Sequence, residues 1–264
     1  MTDETHIDKV LDYGRDPTYE RRLVVFYDIL GWRNHIGKAG SDPKKIGNLR
    51  RAILQHVRVA ENALDAKVTT FSDNIVISLP TTEDTGVLMT KIALMQLASA
   101  LGGFLMRGGA AIGDVIHDDE CVFGPALNRA YHLESQVAQY PRIVIDEDSV
   151  PQIDFQARLL RREDGISFID PFDLPFVRFV QAIPADANQN LLSIGLPASG
   201  DRVRLANSDA FLRGILENLK REIRSPLEER EWTKVAWLYD RVAKQLGVPP
   251  ANSYPRVRPG DVAQ

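Results

Sequence analysis

The first strong pattern along the chain is an apolar run, LVVFYDIL at residues 23 to 30, interrupted by a single acid and closed by Gly31. A β-rich run of that length predicts a buried strand. From Asp42, with Pro43 just inside, apolar residues recur at helical spacing through Ile46, Leu49, Ile53, Leu54, Val57 and Leu64, which predicts a long amphipathic helix. Residues 67 to 79, KVTTFSDNIVISL, form two strand-like halves pivoting on the turn formers Ser72, Asp73 and Asn74. They predict a tight hairpin with Asp73 at its tip. Thr85 to Leu101 reads as a second helix, ended by Gly102 and Gly103. The segment FLMRGGAAIG at 104 to 113 predicts a strand whose small residues let another backbone or a ligand approach closely. After an acidic connection, HDDEC, Gly124 and Pro125 open a helix through Val137, and a strand follows at Arg142 to Ile145.

The order β-α-β-β-α-β predicts an α+β fold with a ferredoxin-like core, its helices packed on one face of a mostly antiparallel sheet. Beyond residue 150, Pro151, Pro171, Pro175, Pro184 and Pro197 punctuate short strand-like pieces. Two helical segments, Ser208 to Arg224 and Pro226 to Gln245, then form a C-terminal helical extension that packs on the sheet or across a subunit interface. The patterns divide the chain into an N-terminal segment (1–20), a main domain (21–180), its strand and helical extension (181–248) and a flexible tail (249–264).

Composition narrows the class. With 264 residues, 44% apolar and 26% charged, the chain has the balance of an ordinary soluble globular protein of one or two domains. No apolar run is long enough to span a bilayer, and MTDETHIDKV lacks the basic start and apolar stretch of a secretion signal. A cytoplasmic protein without a membrane partner is expected. The lone cysteine, Cys121, excludes an intramolecular disulfide framework and any multi-cysteine metal site. A formal net charge of −4 gives no general attraction to nucleic acid.

The motifs G-x-S-x-G, G-x-x-x-x-G-K-[ST], H-E-x-x-H and G-x-G-x-x-G after a strand do not occur. What remains is a pair of acids, Asp28 within the apolar strand and Asp73 at the hairpin. An unpaired carboxylate loses its hydration on burial, so Asp28 calls for a cation or a strong partner. Two carboxylates plus phosphate oxygens are a common way to hold Mg²⁺ or Mn²⁺. Taken singly, Asp73 also reads as an ordinary turn residue and Asp28 as a strand-end acid in a salt bridge.

Whole segments carry more information. FYDILGW at 26 to 32, TFSDNIVIS at 70 to 78, RGGAAIGDV at 107 to 115 and CVFGPALNRAYHLES at 121 to 135 resemble, in order, four motifs of the class III nucleotidyl cyclases. The resemblance covers about residues 21 to 148 and implies the class III cyclase fold and closure of a nucleoside triphosphate into a 3′,5′-cyclic nucleotide. It implies that Asp28 and Asp73, with the backbone carbonyl of Ile29, hold two Mn²⁺ or Mg²⁺ ions per active site. Arg107 falls on the family's phosphate-binding arginine and Asn128 on its ribose-orienting asparagine.

The departures from the family pattern are informative. His132 stands where the family places a transition-state arginine, leaving Arg129 or a cationic His132 as the replacement, and no lysine falls on the C-terminal phosphate contact. The two base-reading positions hold Thr69 and Cys121, which complete neither the adenine nor the guanine code. With Tyr27, Trp32 and NRAYHLES, this resembles the stand-alone pyrimidine cyclases of bacterial Pycsar anti-phage defence. That implies UTP, ahead of CTP, as substrate, and a cyclic nucleotide read by a separate effector protein. One catalytic domain per chain implies a head-to-tail homodimer with active sites at the interface. A purine cyclase and a catalytically weak nucleotide sensor are the competing readings.

Overall fold

The computed structural model describes residues 18–61, 66–82, 84–153, 159–173, 175–178 and 208–259. The apolar run forms β1 (Glu20–Ile29), with Leu23, Val24 and Val25 fully buried. It lies between two antiparallel neighbours, β3 (Asn74–Pro80) and β4 (Met106–His117). Strand alternation splits its side chains. Leu23, Val25 and Tyr27 join the main core, while Val24 and Phe26 join a second cluster on the opposite face.

The sheet continues through β2 (Lys67–Phe71), β5 (Val122–Phe123), β6 (Ile143–Ile145), β7 (Leu160–Glu163) and β8 (Ile166–Ile169). Its order is β2-β3-β1-β4-β6-β8-β7, with β5 paired to β4; among the described residues only β4 and β6 run parallel. Strands β2-β3-β1-β4 with the intervening helices have the expected ferredoxin-like arrangement, and the sheet is mostly antiparallel as predicted.

Among the described residues the longer helices are α1 (Trp32–Ala39), α2 (Pro43–Glu61), α3 (Thr85–Leu101), α4 (Pro125–His132), α5 (Ser208–Ile223) and α6 (Glu229–Leu246). Pro43 opens α2 with the Asp42 carboxylate accepting from the amide of Lys44 at 2.8 Å, as its sequence suggests. Helix α1 falls where only a break after Gly31 is expected. Gly31 adopts a left-handed φ of 72°, turning β1 directly into the helix, and Trp32 buries against Ile29 and Ala52. Helix α3 is buried nearly all round, because the sheet, α2 and α5 enclose it.

Two expectations are corrected. The helices do not all share one face: α4 lies on the second face, against β4 and β1, where its Ala126 and Ala130 meet Val24, Val76 and Val115. Close approach is possible because a Cβ on Gly109 would sit 2.3 Å from the Ala130 carbonyl oxygen and 2.6 Å from Leu133 Cβ. The small-residue strand therefore accommodates a helix backbone. Nor is the stretch from Pro249 to Pro259 loose: Ala251 is buried, its amide donates to Asp240 at 2.6 Å, and the Tyr239 hydroxyl donates to Tyr254 at 3.2 Å.

The C-terminal helices join the main core through Leu212, Ile215, Leu238 and Val242, among others. Burying each such side chain contributes roughly 1.5–3 kcal/mol. The predicted boundary at residue 180 lies outside the described residues. Among the described residues, no helix is long and apolar enough to cross a membrane.

Candidate active site

Three strand termini bring the sequence-predicted acids together. Asp28 is the penultimate residue of β1, and Arg107, its register partner, is the second residue of β4. Asp73 sits in the two-residue turn between β2 and β3, where Ser72 takes a left-handed φ of 58°. That conformation is uncommon for a residue bearing a Cβ and reverses the chain within two residues. Alternation places Asp28 on the same face as Val24 and Phe26, the face that carries α4.

Arg107 is the internal cation of this end. Its Nη2 donates to Asp28 Oδ2 at 3.2 Å and also to Glu134 Oε1. Glu134 is almost completely buried and lies in a single π-helical turn, Leu133–Val137, that continues α4. Such turns are frequent at functional sites. Gly109 allows the turn to pack onto β4, which carries Glu134 to Arg107.

The cluster is left partly unsatisfied. Among the described residues, Asp28 Oδ1 and Arg107 Nε are buried without a hydrogen-bond partner. Burial raises the Asp28 carboxyl above its ordinary range; the Asp73 carboxylate pushes the same way, and Arg107 and Lys234 oppose it. Burial raises Glu134 as well, with Asp28 adding to the effect. An orphaned carboxylate oxygen beside a second carboxylate is a donor set for a hard divalent cation. Among the described residues no cluster of three or more acidic, histidine or cysteine side chains gathers here, so such an ion would draw on these two carboxylates, the Ile29 carbonyl and oxygens of its substrate.

The other predicted residues are distributed as follows. Asn128, Arg129 and His132 project from the exposed side of α4. Arg129 is engaged, its Nε donating to Asp146 Oδ1 at 2.7 Å. His132 and the Asn128 side chain make no hydrogen bond among the described residues.

Thr69 and Cys121 flank the end of β4. Thr69 Oγ1 lies 3.0 Å from His117 Nε2, and His117 Nδ1 lies 2.8 Å from Ser78 Oγ, which also accepts from Arg22 Nε at 2.9 Å. Cys121 is exposed, with its amide donating to Asp118 Oδ1 at 2.8 Å and its Sγ–H directed at Asp118 Oδ2. Burial holds His117 neutral, its pKa pulled down to about 4, with Arg22 and Lys67 adding to the effect.

Glu134, His117 and Lys234 are missing from the residues that sequence analysis singles out. Glu134 lies within the quoted CVFGPALNRAYHLES segment, and its position directly after a buried leucine is the only local signal. His117 and Lys234 carry none, since their neighbours come from distant segments.

No protein-family model matches the sequence, and no curated protein matches it. Among solved structures, the adenylyl cyclase CyaB from P. aeruginosa shares 15% identity over 59% of this chain and 96% of its own, with a TM-score of 0.47. The guanylate cyclase domain of RhGC from Catenaria anguillulae, in complex with GTP, shares 18% identity over 59% of this chain and 98% of its own, with a TM-score of 0.45. A bacterial light-regulated adenylyl cyclase shares 14% identity over 60% of this chain, at a TM-score of 0.45; the chain spans 54% of that protein's length.

Proposed function

We propose that this chain is a nucleotidyl cyclase of the class III type acting on a pyrimidine nucleoside triphosphate, UTP ahead of CTP, and releasing pyrophosphate. The observation that carries the reading is the meeting of Asp28, Asp73 and Arg107 at one end of the sheet, with Asp28 Oδ1 buried and unpartnered. Two Mn²⁺ or Mg²⁺ ions held there would lower the pKa of the ribose 3′-hydroxyl and neutralise the triphosphate. Asp28, Asp73 and the Ile29 carbonyl would serve as their ligands. Arg107 grips phosphate oxygens through donors that Asp28 and Glu134 do not occupy. Asn128 orients the ribose, and His132 stands nearest the family's transition-state cation.

A homodimer completes the site, with α4 of one copy facing the acids of the other. Exposed aromatic side chains support an interface on this face: Tyr131, 54% exposed, meets Phe26 edge-on at 5.3 Å, and Phe123 and Tyr19 are about half exposed beside each other. Thr69, whose hydroxyl is held by His117, and Cys121 lack the paired carboxylate or ammonium that a purine edge needs. On this reading the cyclic product is a messenger for a separate effector in anti-phage defence.

Incubation with each of the four ribonucleoside triphosphates under Mn²⁺ and Mg²⁺, followed by chromatography, tests the proposal. Cyclic UMP as main product is expected; cyclic AMP or cyclic GMP as main product would overturn the pyrimidine assignment. One observation favours a second reading, a nucleotide sensor with weak catalysis: Arg129 is tied to Asp146 and so is not free to replace the absent transition-state arginine. Nucleotide binding without pyrophosphate release under both metals would establish that reading instead.

A further inference from the structure

Helix α6 carries Arg230, Lys234, Trp237 and Arg241 at spacings of four, three and four residues, so the four share one face. The C-terminal half of that stripe is saturated. Arg241 donates to both carboxylate oxygens of Glu163 at 2.9 Å and to Asp170 Oδ2 at 2.6 Å, anchoring α6 to the β7–β8 hairpin. Trp237 stacks on Tyr140, with ring centroids 5.0 Å apart and planes 3° from parallel. The helix is thereby fixed in rotation and height.

The N-terminal half of the stripe is unsatisfied. The Arg230 and Lys234 side chains make no hydrogen bond or ion pair among the described residues, and with Arg107 they line a cleft of about 370 Å³. The remaining wall is uncharged and includes Ser135, Gln139 and Thr233. Arg107 also lines the cleft, its Nη2 already shared between Asp28 and Glu134. Burial and the facing Arg107 and Arg230 guanidinium groups pull the Lys234 ammonium below its ordinary value, opposed by Asp28 and Glu231. Two unpaired cations, Arg230 and Lys234, and the carboxylate-paired Arg107 meet at one space whose lining carries no acid. That unbalanced positive charge calls for an anion with several oxygens. The cleft also lies beside Asp28, whose charge Lys234 senses.

We propose that this cleft binds the polyphosphate end of a nucleoside triphosphate, and the pyrophosphate it releases, with Lys234 and Arg230 of α6 joining Arg107 as its cations. The C-terminal extension thus supplies, from the same chain, phosphate contacts that the cyclase core alone does not provide. The identity of the anion rests on the cyclase reading; the polyanion class rests on the cleft itself. Arg230 and Arg107 offer planar forks to phosphate oxygens, and Lys234 a point charge between them.

Calorimetric titration of the full chain with inorganic pyrophosphate, and separately with inorganic phosphate, tests this. Wild type is expected to bind pyrophosphate more tightly than phosphate. Lys234→Ala should weaken pyrophosphate binding by roughly 10-fold and Arg230→Ala by roughly 3-fold, while Lys234→Arg recovers most of the loss. Circular dichroism verifies folding, and Lys234→Met, which keeps the apolar stem, replaces the alanine variant if that fails to fold. Equal pyrophosphate affinity in wild type and the Lys234 variants would overturn the proposal, as would wild type showing no preference for pyrophosphate over phosphate. The two readings fail separately. Absent cyclase products with intact, Lys234-dependent pyrophosphate binding would leave the cleft assignment standing, whereas cyclic products with unaltered binding in the variants would remove it alone.

Discussion

Two polar regions of the sheet solve the problem of burial in opposite ways. Around His117, a chain of partners is complete: Glu20 accepts from Arg22 at 2.8 Å, Arg22 donates to Ser78, and Ser78 and Thr69 bracket both ring nitrogens of His117. The tautomer with the proton on Nε2 satisfies every member of the chain. Around Asp28, by contrast, one carboxylate oxygen and one guanidinium N–H are buried without partners among the described residues, and two acids are crowded together. Satisfied networks rigidify a core, while unsatisfied buried groups are costly and persist where a ligand completes them. On the proposed cyclase reading, the first region supports the fold and the second carries the chemistry.

The largest effect should come from the unsatisfied end. Asp73→Ala is expected to lower cyclase turnover by on the order of 10³-fold, while thermal unfolding shows little loss because a like charge beside Asp28 is removed. A large fall in melting temperature with turnover retained would reverse the contrast between the regions.

The satisfied end should reveal itself in acid. His117 titrates near 6.5 when unfolded and at about 4 when folded, so the unfolded chain binds more protons between those values. Its contribution is intact above pH 6.5 and is lost as pH falls toward 4, by on the order of 3 kcal/mol. Asp28 and Glu134, raised by burial, act in the opposite sense, so the comparison with His117→Gln isolates the histidine. Urea unfolding of both proteins across pH 4 to 7 should show a smaller loss of stability on acidification for the variant than for the wild type.

Gly109→Ala tests the link between α4 and the Asp28 end. The added methyl meets the Ala130 carbonyl and Leu133, so a loss of about 2–3 kcal/mol in urea unfolding is expected, with turnover reduced through displacement of Glu134. The smallest effect is expected from Thr69→Val, which removes one end of the saturated chain: about 1 kcal/mol in stability. A shift in the ratio of UTP to CTP turnover in the same variant would show that Thr69 also reads the base.

Much of the fold is legible in the sequence because it is written in short-range pattern. The buried strand at 23 to 30, the hairpin at Asp73, the helix from Thr85 to Leu101 and the strand-helix order each follow from periodicity and turn residues within about twenty positions. Helix α1 escapes because its few apolar residues, among them Trp32 and Ile36, do not mark an obvious stripe. The placement of α4 on the second face escapes too. It depends on Gly109 of β4 meeting Ala130 of α4, a contact between segments with no shared periodicity.

The sequence by itself determined the candidate acids, the strand and hairpin that carry them, and the departures at Thr69, Cys121 and His132, since these are properties of residue type and local order. Only the tertiary structure decided what each charge faces. Arg107 meets Asp28 through strand register and Glu134 through a π-helical turn, while Lys234 and Arg230 reach the same cleft because Arg241 and Trp237 fix α6 against the sheet. Charge interactions act through space at a few ångströms, and which charges come that close is set by packing between segments far apart in the chain.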